Sequence, residues 1–225
     1  MPPPSQPSSS LPTIPTGPIV TFGGEGWSTA EQATITASAT VTGTALASTL
    51  NAHHGWNLTS EQAFLLVYNG SVNFIKTGQS CLEATGYSGC WGRSTGRNSI
   101  EVYTDAGNKI PGDVHWAVHE LGHSFVNATG SSAPNTKYEA FQRRFGYPDR
   151  GDKGEGGNCI TVECGFAGGP WEWQRSVYGD TSEEFADMYL GWVYGQWENA
   201  TAGWQRSKYM NFAMPVYIER AVNNR

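Results

Sequence analysis

The sequence predicts an α+β fold, and three observations carry the prediction. Short apolar runs suited to strands fall in the first half of the chain, at 63–68, 72–75 and 99–104. Helical periodicity takes over from Asp113 onward, so the chain carries both kinds of element. The 225 residues are 38% hydrophobic, enough to fill a core, while 28 glycines and only 15% charged residues call for long irregular connections.

Residues 1–18 are rich in Pro, Ser and Thr and have little to bury, so they read as a linker ahead of a domain spanning 19–225. Ser28-Thr29-Ala30-Glu31 has the form of a capping box and opens an Ala/Thr-rich helix to about residue 50, with Ile35, Ala39, Leu46 and Leu50 on one face. The run 63–68 is followed by Asn69-Gly70 and then 72–75, the pattern of a β-hairpin. A further strand is expected at 99–104. Asp113 is a suitable N-cap and Gly130 a suitable stop for the next helix. A loop-rich stretch follows at 146–175, then a helix from Thr181 to about Trp197. The segment from Trp204 reads as partly helical with a break at Pro215. No internal repeat is present.

A net charge of -6 without a run of Lys or Arg excludes a nucleic-acid partner, and no stretch of apolar residues is long enough to span a membrane. Met1 is followed at once by Pro2, Pro3 and Pro4, without the charged start and apolar region of a signal peptide. The chain is therefore expected to be part of a longer one. Cys81 with Cys90, and Cys159 with Cys164, each bracket a short loop suited to a local disulfide, although four cysteines allow other pairings. A zinc knuckle is the rival reading, and neither pair has its tight C-x-x-C spacing. Two disulfides, with sequons at Asn57, Asn69, Asn127 and Asn199, point to a secreted, extracellular protein.

The chemistry centres on His119-Glu120-Leu121-Gly122-His123. With Val114 as the origin, Val118, Leu121 and Phe125 fall within roughly 40° and form a core stripe. His119 and His123 fall together at roughly 140° and 180°, where two imidazoles one turn apart can close on one metal ion. Glu120, at roughly 240°, lies beside them, placed to accept a proton without occupying the metal. His115, a turn earlier, makes the fan too wide for one site and reads as a cleft-lining or exposed residue. His53 and His54 read as loop histidines.

Two histidines leave a catalytic zinc site incomplete. In the second helix Phe185, Met188, Tyr189, Trp192 and Val193 form a buried stripe, and Glu183 and Asp187 share the opposite face. Glu183 is the expected third ligand and Asp187 a carboxylate that accepts a hydrogen bond from a ligating His. Glu184 fits a capping box with Thr181, yet remains an alternative ligand, as do Asp180 and Glu172.

These motifs resemble the zincin metallopeptidases, and among them the glutamate-liganded gluzincins of the anthrax lethal factor type. The metzincin pattern is absent, since Val126 and Thr129 stand where it needs Gly and then His or Asp. The resemblance covers the two helices only. It implies zinc bound by His119, His123 and Glu183, Glu120 as general base and acid, and a tyrosine, Tyr178, that stabilises the oxyanion. It also implies a mixed sheet backed by the active-site helix over a helical, loop-rich lower lobe. A protein or peptide substrate would then lie along the strand at 99–104. Two alternatives stand beside this endopeptidase. One is an extracellular carbohydrate- or protein-binding module built on the nine tryptophans, with Trp171 and Trp173 in a Gly-rich loop. The other is a zincin that binds metal without cleaving.

Overall fold

The computed structural model describes residues 10–86, 90–104, 114–132, 134, 181–197 and 201–225. Among these, four strands form one mixed sheet and six helices pack around it. The strands are β1 (Val20–Gly23), β2 (Val72–Lys76), β3 (Gly92–Gly96) and β4 (Ser99–Val102). The helices are α1 (Thr29–His54), α2 (Ser60–Tyr68), α3 (Cys81–Thr85), α4 (Val114–Ala128), α5 (Thr181–Tyr194) and α6 (Thr201–Asn223). Sheet order is β1-β2-β4-β3, with β1, β2 and β4 parallel and β3 antiparallel. The expected α+β architecture is present, and its loop-rich stretch at 146–175 lies outside the described residues.

The capping box at Ser28 and Glu31 forms as expected, and α1 runs on to His54, so His53 and His54 belong to its last turn rather than to a loop. Glu31 does more than cap. Its carboxylate also accepts from Lys76 Nζ at 2.8 and 2.9 Å, tying the start of α1 to the end of β2. The four residues predicted to share a face, Ile35, Ala39, Leu46 and Leu50, are all buried.

Three further expectations are corrected. Residues 63–68 belong to helix α2, not to a hairpin strand. Thr59 caps that helix with Gln62 in a second capping box, and Asn69 ends it in the left-handed conformation at φ 58°. Every residue from Ala63 to Tyr68 is buried, so the helix shows no polar period along this run. The segment 99–104 shortens to β4, and β4 lies between β2 and β3 with both edges paired, so it cannot receive an added strand. Among the described residues the unpaired edge there belongs to β3, which no apolar period in the sequence marks. Finally, α6 passes through Pro215 without ending. The buried row Met210, Met214, Ile218 and Ala221 continues across it, and burial of that row offsets one lost backbone hydrogen bond.

The sheet buries one face against helices, through Val20, Val72, Phe74, Ile100 and Val102. Its opposite face carries Thr21, Asn73, Ser99 and Glu101, which are half-buried, and Arg93, which is exposed. Arg97, in the turn between β3 and β4, donates to the carbonyls of Val67, Ala128, Ala221 and Asn224. A cation facing the ends of α2, α4 and α6 satisfies carbonyls that those helices leave unpaired. The hairpin is thereby fastened to the helical layer that carries the site. A disulfide joins Cys81 to Cys90 as expected, while Cys159 and Cys164 lie outside the described residues.

Candidate metal centre

Helix α4 buries the predicted stripe completely, with Val118, Leu121 and Phe125 at 0% exposure. On its histidine face His119 is buried as well, only 1% exposed, because α5 packs across it, while His123 is half-buried. Gly122 makes that approach possible. A Cβ there would lie 3.0 Å from Ala186 Cα and 3.2 Å from Tyr189 Cβ, closer than side chains ordinarily pack. The helix pair is further held by the Tyr68 hydroxyl, which donates to Leu121 O at 2.9 Å and lies 3.1 Å from the Tyr189 hydroxyl. The predicted α5 stripe of Phe185, Met188, Tyr189 and Val193 is buried, with Trp192 packed at its margin.

Close packing brings three predicted ligands together. His119 Nε2 lies 3.1 Å from Glu183 Oε2, His123 Nε2 lies 3.3 Å from Glu183 Oε1, and the two Nε2 atoms are 3.2 Å apart. Among the described residues, this is the group of His, Cys, Asp and Glu side chains arranged to hold a metal ion. Three lone-pair atoms at such separations repel one another unless protons or a cation lie between them. Atoms spaced like this form one face of a tetrahedron whose centre is about 2 Å from each, the bond length of zinc to imidazole or carboxylate.

Asp187 Oδ1 lies 2.8 Å from His119 Nδ1, one turn of α5 beyond Glu183, as predicted. An Nδ1–H donated to this carboxylate leaves Nε2 as the lone-pair face turned to Glu183 and His123. Burial lowers the His119 pKa, but hydrogen bonds with Asp187 and then Glu183 outweigh it and raise it well above the ordinary imidazole value. Burial raises Asp187 to about 6, with His119 opposing. Burial also works to raise Glu183, yet the hydrogen bonds with His119 and His123 prevail and hold it far below the usual carboxylate range. The cluster thus couples two imidazoles to carboxylates that favour positive charge between them.

Glu120 points elsewhere, toward β3. It is 6% exposed, and its Oε2 is buried without a hydrogen-bond partner. Burial raises its pKa above the ordinary carboxylate value, with His123 and His119 opposing. A buried carboxylate oxygen without a partner is uncommon in a folded protein. Gly92 lets β3 pass directly over it, since a Cβ at Gly92 would lie 3.4 Å from Glu120 Cδ and 2.7 Å from the Trp116 ring. Ser94 fastens the same strand to α4 through Ser124 at 2.9 Å and Asn127 at 3.2 Å. Neither Gly92 nor Ser94 was expected from the sequence, because β3 is short, polar and without an apolar period.

The structure therefore joins His119, His123, Glu183 and Asp187 in one place, with the Glu120 carboxylate turned toward β3. His115 is half-buried with its ring 5.0 Å from that of Tyr194, and it stands outside the three-ligand group. Tyr178, Asp180, Glu172, Trp171, Trp173 and the Asp113 cap lie outside the described residues, as does the side chain of Glu184. No helix among the described residues is long and apolar enough to cross a membrane. Comparison with known proteins supplies no relative: no protein-family model matches the chain, and no curated protein or solved structure matches it significantly.

Proposed function

We propose that this chain is a secreted zinc-dependent endopeptidase of gluzincin type. The observation that carries the reading is the pairing of a His119–His123–Glu183 cluster with the buried, unpartnered carboxylate oxygen of Glu120. Zinc bound to such a set lowers the pKa of a water toward neutrality and polarises a carbonyl oxygen. Glu120 accepts the proton of the attacking water and returns it to the leaving amine, a role suited to a carboxylate whose pKa is raised by burial. Asp187 holds the His119 ring in its ligating tautomer. Tyr178 is assigned to the oxyanion on the strength of the motif resemblance alone.

The peptide would lie along β3, not β4, because β3 has the unpaired edge among the described residues and crosses Glu120. The Cys81–Cys90 disulfide supports an oxidising, extracellular setting. Proteolysis of an unfolded protein by the purified chain, abolished by a chelator and restored by zinc, is the expected result. Proteolysis untouched by chelation contradicts the proposal. Tight binding to glycans or proteins without bound metal would favour the binding-module reading instead.

A further inference from the structure

The outer edge of β3 pairs with no strand among the described residues, and such an edge accepts an extended peptide by backbone hydrogen bonding. Strand alternation then fixes what each side of that peptide meets. Gly92 and Ser94 face α4, as their approach to Glu120 and Ser124 shows. Arg93 and Thr95 face the opposite side of the sheet, and both are exposed. A register shift between Ser94 and Gly96 breaks regular pairing beyond that point, which leaves Arg93 as the charged side chain of the regular segment.

On its inner side Arg93 is paired with Glu101 of β4. The Glu101 carboxylate is engaged by the Tyr103 hydroxyl, which donates to Oε2 at 3.0 Å. The Arg93 guanidinium has no hydrogen bond or ion pair among the described residues. A peptide residue paired with Gly92 would point toward Glu120, and its neighbour, paired with Arg93, would point to the opposite face beside the guanidinium. Resting on the peptidase reading, the geometry points to Arg93 as a specificity-determining residue that selects substrates with Asp or Glu at this neighbouring position.

Opposite charges on adjacent strands attract and like charges repel. At an exposed site the preference is modest, about fivefold for an acidic over a neutral residue, and salt screens it. The net charge of -6 repels acidic peptides at long range, so the preference is tied to one position and not to overall peptide charge. The test is cleavage of a diverse peptide library by wild type, Arg93→Gln and Arg93→Glu, with the residues flanking each cut bond identified by mass spectrometry. Wild type should enrich Asp and Glu about fivefold at one flanking position, less at high salt. Arg93→Gln should lose the enrichment, and Arg93→Glu should replace it with Lys and Arg at the same position. Cleavage without acidic enrichment, or enrichment unchanged in Arg93→Glu, overturns the inference and leaves the peptidase reading standing. No cleavage by any of the three, with zinc bound, overturns the peptidase reading and this inference with it.

Discussion

Gly122→Ala separates the stability of the helix pair from the integrity of the metal centre. The added methyl would sit 3.0 Å from Ala186 Cα, about 0.7 Å inside an ordinary carbon–carbon contact of about 3.7 Å. Ala186 lies between Glu183 and Asp187 on α5, so relief of this clash displaces both carboxylates. Overpacking of this kind costs about 1–3 kcal/mol, while replacing Gly by Ala within a helix returns about 1 kcal/mol. Folding stability should therefore fall by no more than about 2 kcal/mol. Metal binding has no such compensation, because ligand distances tolerate only about 0.2 Å. Zinc affinity should drop about 10- to 100-fold, or about 1.4–2.8 kcal/mol. Thermal unfolding of the metal-free protein and chelator competition measure the two quantities side by side. Zinc affinity within about twofold of wild type would refute the claim that Gly122 sets the distance between the ligand-bearing helices.

Asp187→Asn keeps the shape of the side chain that meets His119 but removes its charge. Zinc affinity should fall about 10-fold, because the His119 ring loses the charged acceptor of its Nδ1–H. Unchanged affinity would remove Asp187 from the account. Burial works to raise the Glu31 pKa, but Lys76 and Ser28 outweigh it and hold it below the usual value of 4.5. A depressed folded-state pKa means that the unfolded chain binds protons more readily. This contribution is complete above about pH 5 and fades as pH falls through the folded value. Lys76→Met should therefore lower stability by about 1–2 kcal/mol at about pH 7, with the gap to wild type closing below about pH 4 in denaturant titrations. A gap independent of pH would contradict the ion-pair role.

The site was more legible in the sequence than the sheet was. His119 and His123 are fixed on one helix by local spacing, and Glu183 with Asp187 by the stripe opposite them, so helical geometry alone singled out the residues that cluster. What local geometry could not supply is which elements lie side by side. The order β1-β2-β4-β3 depends on a crossover from β1 to β2 through α1 and α2 and on a connection through α3 and β3 that brings β4 back beside β2, which turned the expected cleft strand into an interior one. Residues 63–68 were misread because burial on all sides erased the helical period, though Thr59 and Gln62 carried a usable capping signal. The polarity of the histidine face suggested an open cleft, whereas α5 covers His119. Burial of His119 follows from Gly122, whose lack of a Cβ admits α5. Arg97 and Ser94 act through long-range contacts that leave no local pattern.

Zinc content and proteolysis measured together on wild type and Glu120→Gln test the central claim most directly. The substitution preserves size and removes the one carboxylate that the mechanism needs as a base. Both proteins should carry about one zinc per chain, and only wild type should digest an unfolded substrate. Equal digestion by both, or a wild-type chain that binds no zinc, would contradict the account.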